Sequence, residues 1–338
     1  MASIDVYCPE ILIPKFIESK DSAKVPFGVW GEYELIKKTW NALSKKFEIT
    51  QHLKFKDNKN IIVDGGLKRL ASLGTSPFGG LNAQCSYLCL GSGTSTPVST
   101  DVKLQALGVS GIGVSSQTAG GSGNDWWIQN QWDIGLSTAI GTWTEVGCTW
   151  SNASTPDILS RNLFKDSNGN PVSVQKTSSD TLTIVYKLHI KRSSDTPFSN
   201  VIAITGGTGN ITVESLVLNN GLQDLTAYGR NLNYFTYSTT AKIGSNSDAI
   251  TPTLTGVRTQ ISNGTSTIQS AADYITGNMY RDFIAEWPAA PVGTIYEASI
   301  AWSDATRQVL MFRFVEGIPK DNTKKFRLNY RINYGRAA

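Results

Sequence analysis

Two glutamates at matching places in two similar strands are the first residues whose type and spacing suggest chemistry. Residues 141–151 read GTWTEVGCTWS and residues 293–303 read GTIYEASIAWS, so Gly, Thr, Glu, Trp and Ser recur in the same order. A glycosidase needs two carboxylates a few ångströms apart, and Glu145 and Glu297 are the candidates for that pair. Matching positions in two copies place them in separate domains, so we expect structural hydrogen bonds instead.

The histidines and cysteines form no pattern that is typical of catalysis or metal binding. His52 and His189 lie in unrelated settings, and neither has a nucleophile at a suitable spacing. Cys85 and Cys89 are not followed by a second pair at zinc-ribbon spacing, so we expect buried, reduced thiols. We therefore predict a protein without enzyme activity, cofactor or metal.

Two polar loops resemble ligand-binding motifs only in part. Residues 204–210, ITGGTGN, are rich in glycine but lack the lysine and the following helix of a phosphate-binding loop. Residues 166–170, DSNGN, begin like a calcium loop but lack its closing glutamate. Asn168-Gly169 between two strand-like runs predicts a hairpin turn, because both residues tolerate positive φ.

The composition favours a mainly β protein with more than one domain. Short runs of Val, Ile, Thr, Tyr and Trp alternate with clusters of Gly, Asn and Ser over 338 residues. The net charge is only +4, with eight Lys/Arg against two Asp/Glu in residues 306–338. No basic run is dense enough to predict a nucleic-acid partner. No stretch has membrane-spanning length and no secretory signal is present, so we expect no membrane partner.

The similarity of the two opening strands extends along the chain and predicts an internal duplication. Trp132 precedes Gly141 much as Trp287 precedes Gly293. Other motifs recur in the same order, including residues 91–97 with 244–252 and residues 163–165 with 311–313. We expect two tandem antiparallel β-sandwich domains, residues 76–195 and 196–338, with most large aromatic side chains in their cores.

The first 75 residues predict a helical arm that docks on a partner. Apolar residues at helical spacing indicate a helix over about residues 32–47. The candidate docking residues on this helix are Leu35, Ile36, Trp40, Leu43 and Phe47. A second, short helix is expected with Asp64 as its N-cap. We assign residues 1–75 to this docking segment.

Trp126 and Trp127 are the candidate contact site of the first β-domain. Adjacent residues of a strand point to opposite faces, so one of these rings faces outward or toward a neighbouring chain. A position in the core or in a subunit interface is one interpretation. An exposed aromatic platform for a glycan is the alternative.

Several segments resemble virion proteins of tailed bacteriophages. These segments are Asn60–Leu67, Tyr87–Pro97, Thr100–Leu104 and residues 160–171, SRNLFKDSNGNP, which lead through residues 179–182 into a strand. Together they lie between residues 60 and 190. The resemblance is to proteins near the phage tail or its fibres.

This resemblance implies a non-enzymatic structural subunit of the tail, collar or fibre-anchoring region, present in several symmetric copies. Its partners would be other virion proteins, namely tail, portal or adaptor, and fibre subunits. Its location would be the virion, assembled in the cytoplasm of the bacterial host. We expect it to assemble through its N-terminal arm and through unpaired strand edges. The alternatives are a receptor-binding module for host glycan and a capsid decoration or head-fibre protein, and an enzyme such as a depolymerase comes last.

Overall fold

A computed structural model describes residues 15–19, 23–55, 59–72, 81–192, 197–205, 209–218, 241–251, 253–254, 257–262, 268–269, 279–287, 292–301 and 308–336. These residues form an α-helix, α1 (Asp64–Ser72), a 3-10 helix (Leu81–Cys85) and many β-strands. The strands before residue 193 are β1 (Lys15–Ser19), β2 (Ala23–Asn41), β3 (Lys46–Leu53), β4 (Lys59–Ile62), β5 (Tyr87–Gly91), β6 (Leu107–Gly113), β7 (Ser116–Ser122), β8 (Asp125–Ile134), β9 (Gly141–Trp143), β10 (Glu145–Thr149), β11 (Ser160–Leu163), β12 (Val174–Lys176) and β13 (Asp180–Arg192). The strands after residue 193 are β14 (Phe198–Thr205), β15 (Asn210–Val217), β16 (Ala241–Gly244), β17 (Gln260–Ser262), β18 (Ile268–Gln269), β19 (Tyr280–Trp287), β20 (Gly293–Ala301), β21 (Gln308–Lys320) and β22 (Lys324–Arg336).

The strands form one long sheet, two short sheets and a separate two-stranded pair of β9 with β12. The long sheet has the order β7-β8-β13-β2-β22-β19-β18. The first short sheet has the order β6-β5-β10-β11-β4. The second short sheet has the order β17-β16-β20-β21-β15-β14. Neighbouring strands are antiparallel, except that β1 and β2 run parallel to β22. The protein is therefore mainly β, as its composition predicts.

Strand β2 lies at the centre of the long sheet. One of its edges pairs with β13 from Phe27 to Thr39, and its other edge pairs in turn with β22, β4 and β3. Along β2 the buried side chains Val29, Tyr33 and Leu35 alternate with side chains on the opposite face. This alternation has the period of a strand with one buried face.

The predicted helix over residues 32–47 is wrong. The segment forms the end of β2, a turn over residues 42–45 and the start of β3. The spacing of Leu35, Ile36, Trp40, Leu43 and Phe47 suits a helical stripe, but pairing with β13 and β3 supplies the backbone hydrogen bonds of a sheet instead. The docking candidates therefore lie on a β-hairpin and do not share one face.

The long sheet packs against the first short sheet through buried side chains of both. The hydroxyl groups of Tyr33 and Ser160 are 3.0 Å apart, across the space between β2 and β11. The Asn130 side-chain amide on β8 donates to the carbonyl oxygen of Cys85, the last residue of the 3-10 helix that precedes β5, at 2.7 Å. Because polar atoms that leave water cost free energy unless they are hydrogen-bonded, these bonds fix how the two layers face each other.

The long sheet packs against the second short sheet through aromatic rings. Phe314 of β21 meets Phe326 of β22 edge to face, with ring centroids 5.5 Å apart. Phe312 and Tyr330 also lie with centroids 5.5 Å apart. These residues are buried and belong to the same apolar cluster as Tyr33 and the core of the first half. A single core therefore runs along the inner face of the long sheet.

One local prediction is confirmed in part and another in full. The short helix α1 is present, but Asp64 is its first residue and not its N-cap, because the first helical hydrogen bond runs from the Leu67 N–H to the Val63 carbonyl oxygen at 3.0 Å. The turn at residues 166–170 is a hairpin turn, in which Gly169 has φ +81° and the Asp166 carboxylate accepts from the backbone N–H groups of Asn168 and Asn170 at 2.9 Å. A bridge between Lys165 and Pro171 closes this turn.

The predicted domain limits, residues 1–75, 76–195 and 196–338, stay predictions. Part of the predicted duplication lies outside the described residues, including Trp302, which matches Trp150 in the sequence repeat. The glycine-rich residues 206–208 and Cys8 lie outside them as well.

Candidate interaction surfaces

Trp126 and Trp127 are both half-buried, on opposite faces of β8. Trp126 lies against the apolar core, and its indole N–H donates to the Gly123 carbonyl oxygen at 3.2 Å. Trp127 lies on the outer face, opposite Gly120 of β7. A Cβ atom at Gly120 would lie 2.5 Å from the Trp127 ring, so the missing side chain makes room for the indole. The opposite orientation of the two rings is the one that their adjacency predicts.

The outer face of the long sheet carries a cluster around His189. The imidazole stacks on Trp30 with ring centroids 3.7 Å apart and an angle of 15°. Its Nδ1 lies 2.9 Å from the Asp125 carboxylate and its Nε2 lies 3.3 Å from the Glu32 carboxylate. The cluster therefore ties β8, β13 and β2 together. Sequence reasoning missed it, because the partner residues are far apart in the chain.

Lys187 covers the ring of Trp127. Its ammonium group lies 4.9 Å from the Trp127 ring centroid and 4.3 Å from the centroid of Phe55. Attraction between a cation and an aromatic face holds the lysine there. Lys187 of the same chain therefore covers the Trp127 ring, which does not favour the alternative interpretation of a glycan platform at this position.

The two glutamates of the repeated motif organise loops. Glu145 is fully buried and accepts hydrogen bonds from the backbone N–H groups of Gly93 (3.0 Å), Gln105 (3.1 Å) and Ala106 (2.8 Å). The Arg161 guanidinium donates a fourth bond at 2.8 Å. All four donors are groups of the chain itself, and such donors form strong hydrogen bonds to a carboxylate. Glu145 thus makes structural hydrogen bonds, as the sequence predicts.

Glu297 repeats this arrangement in the second short sheet. It is fully buried and accepts from the Arg258 backbone N–H at 3.0 Å and from its guanidinium Nε at 2.6 Å. Gly91 lies opposite Glu145 in the β5–β10 pairing, and Gly244 lies opposite Glu297 in the β16–β20 pairing. Each carboxylate is therefore engaged by an arginine, which is Arg161 on β11 for Glu145 and Arg258 in the bend before β17 for Glu297.

The described cysteines lie in the core of the first half. Cys85, Cys89 and Cys148 are buried free thiols, and the Cys148 sulfur lies 3.1 Å from the Ser160 hydroxyl. Burial raises the pKa of the Cys85 thiol well above its ordinary value and raises the pKa of Cys89 to about 12. The thiolate form that a nucleophile needs is therefore disfavoured at both positions.

Lys325, Arg327 and Arg331 of β22 are paired within the chain. Glu286 of β19 receives hydrogen bonds from Lys325 and Arg327, each at 3.0 Å. Arg331 binds Asp282 through two hydrogen bonds, at 2.7 and 2.8 Å. These two carboxylates offset part of the positive charge that makes the C-terminal strand basic in the sequence.

The turn between β2 and β3 carries a group of exposed apolar side chains, which we call the hairpin tip (residues 40–49). Leu43 at the apex is 96% exposed, and Ile49, Trp40 and Phe47 are 60%, 46% and 40% exposed. Trp40 and Phe47 face each other edge to face, with centroids 5.2 Å apart. Of the predicted docking residues, the structure places three at this tip, whereas Leu35 is buried and Ile36 is half-buried.

A polar network holds the turn of the hairpin tip. The Asn41 side-chain oxygen accepts from the backbone N–H groups of Leu43 (2.9 Å) and Ser44 (3.3 Å). The Glu48 carboxylate accepts from the Asn41 amide at 3.0 Å and from the Ser44 hydroxyl at 2.7 Å. These two hydrogen bonds, first that from Asn41, lower the pKa of Glu48. The exposed side chains are thus presented on a defined turn.

Two edge strands of the long sheet differ in how they are protected. Among the described residues β7 pairs only with β8, and its sequence SQTAGGS contains no charge and no proline. β3 pairs only with β2 there, but it carries lysine and glutamate, and its pairing with β2 has a register shift between Lys37 and Lys38 of β2. Charges and bulges are the usual means of preventing edge-to-edge pairing. β7 therefore lacks the protection that β3 has.

Comparison with known proteins returns no relative. No protein-family model, no curated protein and no solved structure matches the chain. Within the described residues, no cluster of three or more His, Cys, Asp or Glu side chains has the arrangement of a metal site. The described part of the chain also contains no helix with the length and hydropathy needed to span a bilayer.

Proposed function

We propose that the chain is a non-enzymatic structural subunit of a tailed-bacteriophage particle, in the tail, collar or fibre-anchoring region. The observation that carries the assembly role is the unprotected edge of β7. The phage assignment rests on the sequence resemblance between residues 60 and 190. The buried glutamates and cysteines support a structural role, because their polar atoms are engaged in holding loops and layers together.

The β7 edge is suited to pairing with a strand of a neighbouring subunit. The strand is exposed along most of its length and has no charged side chain or proline. An antiparallel or parallel strand placed beside it would continue the sheet through backbone hydrogen bonds. Subunits joined in this way around a symmetry axis would form the closed ring that such a position in the particle requires.

We also propose that the two halves arose by duplication and form two β-sandwich repeats. Each short sheet places a glutamate-bearing strand between a glycine-ended strand and a second partner: β10 lies between β5 and β11, and β20 lies between β16 and β21. The register supports the same conclusion, because Gly91 faces Glu145 and Gly244 faces Glu297. In the long sheet, β8 beside β13 corresponds to β19 beside β22.

The particle assignment is tested by locating the chain in virions. Antibodies raised against the purified chain, and labelled with gold, are applied to particles released by lysis of the bacterium that carries the gene. We expect label at the tail region and peptides of the chain among the particle proteins in mass spectrometry. Particles that lack both the label and the peptides would refute the assignment.

The edge role is tested by placing a charge on β7. Thr118→Lys adds a cation to the exposed edge. Pairing of this edge with a strand of another copy would place the cation beside a second lysine or leave it without a counter-ion, which would cost several kcal/mol of association free energy. We expect oligomers of the wild-type chain in analytical ultracentrifugation and a loss of at least about tenfold in their association constant for the variant. Thr138→Lys, on an exposed turn, is the matched control and should associate normally. Equal association of both variants would exclude the β7 edge.

A further inference from the structure

We propose that the hairpin tip binds an anionic lipid surface. The proposal concerns residues 40–49 and the lysines around them, and it does not depend on the particle in which the chain resides. The sequence predicts no membrane partner because no stretch is long enough to span a bilayer. A contact at the surface of a bilayer needs no such stretch.

The apolar side chains of the tip are arranged by distance from the apex. Leu43 lies at the apex, the Trp40–Phe47 pair lies next to it, and Ile49 lies further along β3. Four of the eleven exposed large apolar side chains in the described residues are at this one turn. Tryptophan and phenylalanine beside a leucine are the residue types that enter the boundary between lipid headgroups and acyl chains.

The charges around the tip select an anionic partner. Residues 35–54 contain five lysines and one glutamate. The glutamate, Glu48, is bound by Asn41 and Ser44 of the turn. Lys38, Lys45 and Lys46 are exposed, and none of them has an ion pair within the described residues. Lysines close to a negatively charged bilayer are attracted to it within about one Debye length.

The same charges argue against a second copy of the chain as the occupant. Two tips packed face to face would bring Lys38 of one copy close to Lys38 of the other, with the remaining lysines nearby. Like charges across a contact cost free energy and favour other partners. An anionic surface removes this repulsion.

The placement of the lysines favours a flat binding surface that the apex of the hairpin approaches. It does not favour a groove that would hold only one face of the hairpin. Lys38 lies on the same face as Ile49, which is its cross-strand partner. Lys46 precedes Phe47 on β3 and therefore points to the opposite face. Lys45, with φ +52°, belongs to the turn itself. Positive charge thus surrounds the apolar apex, as contact with a flat layer of anionic headgroups requires.

Flotation with vesicles tests the proposal on the full chain. Vesicles of phosphatidylcholine alone are compared with vesicles of equal parts phosphatidylcholine and phosphatidylglycerol. We expect binding to the anionic vesicles only, and weaker binding as salt is added. The double variant Lys45→Gln/Lys46→Gln should lose roughly fivefold in affinity for each lysine removed.

Leu43→Asp tests whether the apolar apex contributes to vesicle binding. The Leu43 side chain is almost fully exposed, so its replacement leaves the core unchanged. We expect at least about a tenfold loss of binding to anionic vesicles. Val292→Asp is the matched control, since Val292 is also exposed, at 64%, but lies outside the hairpin. Val292→Asp should bind as the wild type does.

The depth to which the hairpin tip enters the bilayer is measured with brominated acyl chains, which quench the fluorescence of nearby indoles. Vesicles that carry these brominated chains should quench part of the tryptophan fluorescence of the wild type. The Trp40→Phe variant should show no such quenching. Three results would overturn the proposal: no flotation with anionic vesicles, equal binding of Leu43→Asp and Val292→Asp, or a self-association that Leu43→Asp abolishes. The last would assign the tip to a second copy. Absence of the chain from virions refutes the particle assignment and leaves these results unaffected.

Discussion

Replacing Glu145 by glutamine should destabilise the protein strongly, although the side chain keeps its size. In the wild type the carboxylate is fully buried and accepts four hydrogen bonds, one of them from Arg161. Arg161 is itself buried and also binds Asp101 at 2.7 Å. Glutamine carries no charge, and its amide nitrogen would face N–H donors where an acceptor is needed.

The magnitude follows from the charge that remains. In Glu145→Gln the Arg161 cation keeps only Asp101 as a counter-ion, and removal of one partner from a buried ion pair costs about 3–5 kcal/mol. The matching variant Glu297→Gln should cost less, about 1–2 kcal/mol, because Arg258 is about a quarter exposed and water can hydrate its guanidinium.

The assay is urea unfolding followed by tryptophan fluorescence and by far-ultraviolet circular dichroism. We expect the midpoint to fall for both variants and to fall further for Glu145→Gln, with the denaturant dependence unchanged. Glu48→Gln replaces an exposed carboxylate and serves as the control. A loss of less than about 1 kcal/mol for Glu145→Gln, or an equal loss for Glu297→Gln, would refute the reasoning.

Three further predictions concern single groups. Asp180 has a pKa of about 2, because hydrogen bonds from nearby threonines outweigh the effect of burial. Asp180→Asn should therefore lower the free energy of unfolding by about 2 kcal/mol at neutral pH. In urea titrations this difference from the wild type should vanish as pH falls through the folded-state pKa. Cys89, with its pKa raised to about 12 by burial, should resist iodoacetamide until the chain is unfolded, as mass spectrometry of the labelled peptide would reveal. In α1, Gly66→Ala should lower the melting temperature, because the new methyl group would meet the Leu159 backbone, whereas Gly65→Ala, with open space around it, should raise stability by up to about 1 kcal/mol.

The sign of the Asp180 prediction follows from the direction of its pKa shift. The folded-state pKa lies below the ordinary value of 3.8, so the carboxylate stabilises the fold at neutral pH. That contribution is complete above the unfolded-state pKa and is lost as pH falls through the folded-state value of about 2. An Asp180→Asn variant whose deficit persists unchanged at the acid end would contradict this explanation.

The strand motif with its glutamate could be predicted from the sequence because its information is local. Alternating residues define β10 and β20, and repetition at one domain-length indicates that Glu145 and Glu297 hold the fold together. The hairpin turn at Asn168-Gly169 is equally local, since the positive φ of Gly169 follows from the residue type. Such features need no knowledge of the distant chain.

The helix prediction over residues 32–47 was wrong because the deciding information is not local. Residues 32–47 fit a helical stripe and a strand alternation about equally, and only the partner strand decides between them. That partner, β13, begins at Asp180, about 140 residues away from Thr39, to which it pairs. Cross-strand pairing outweighed the local pattern. The helix prediction nevertheless drew attention to Trp40, Leu43 and Phe47, which are exposed at the turn.

The cluster around His189 could not be predicted from spacing. Asp125 and Glu32 are separated from His189 by 64 and 157 residues, and Trp30 lies two residues before Glu32. These groups meet only because β8, β13 and β2 lie side by side in the long sheet. Any prediction of this contact would have required the strand order first.

The parallel pairing of β1 and β2 with β22 determines how the protein responds to force. Both strands run beside β22 in the same direction, over residues 15–18 and 23–29. A tension that pulls residue 15 away from residue 336 acts along the strands, so the hydrogen bonds between them are loaded together in shear. Antiparallel neighbours pulled at one end would open one bond after another. The sheet therefore resists stretching between its first and last strands far better than it resists peeling at β7.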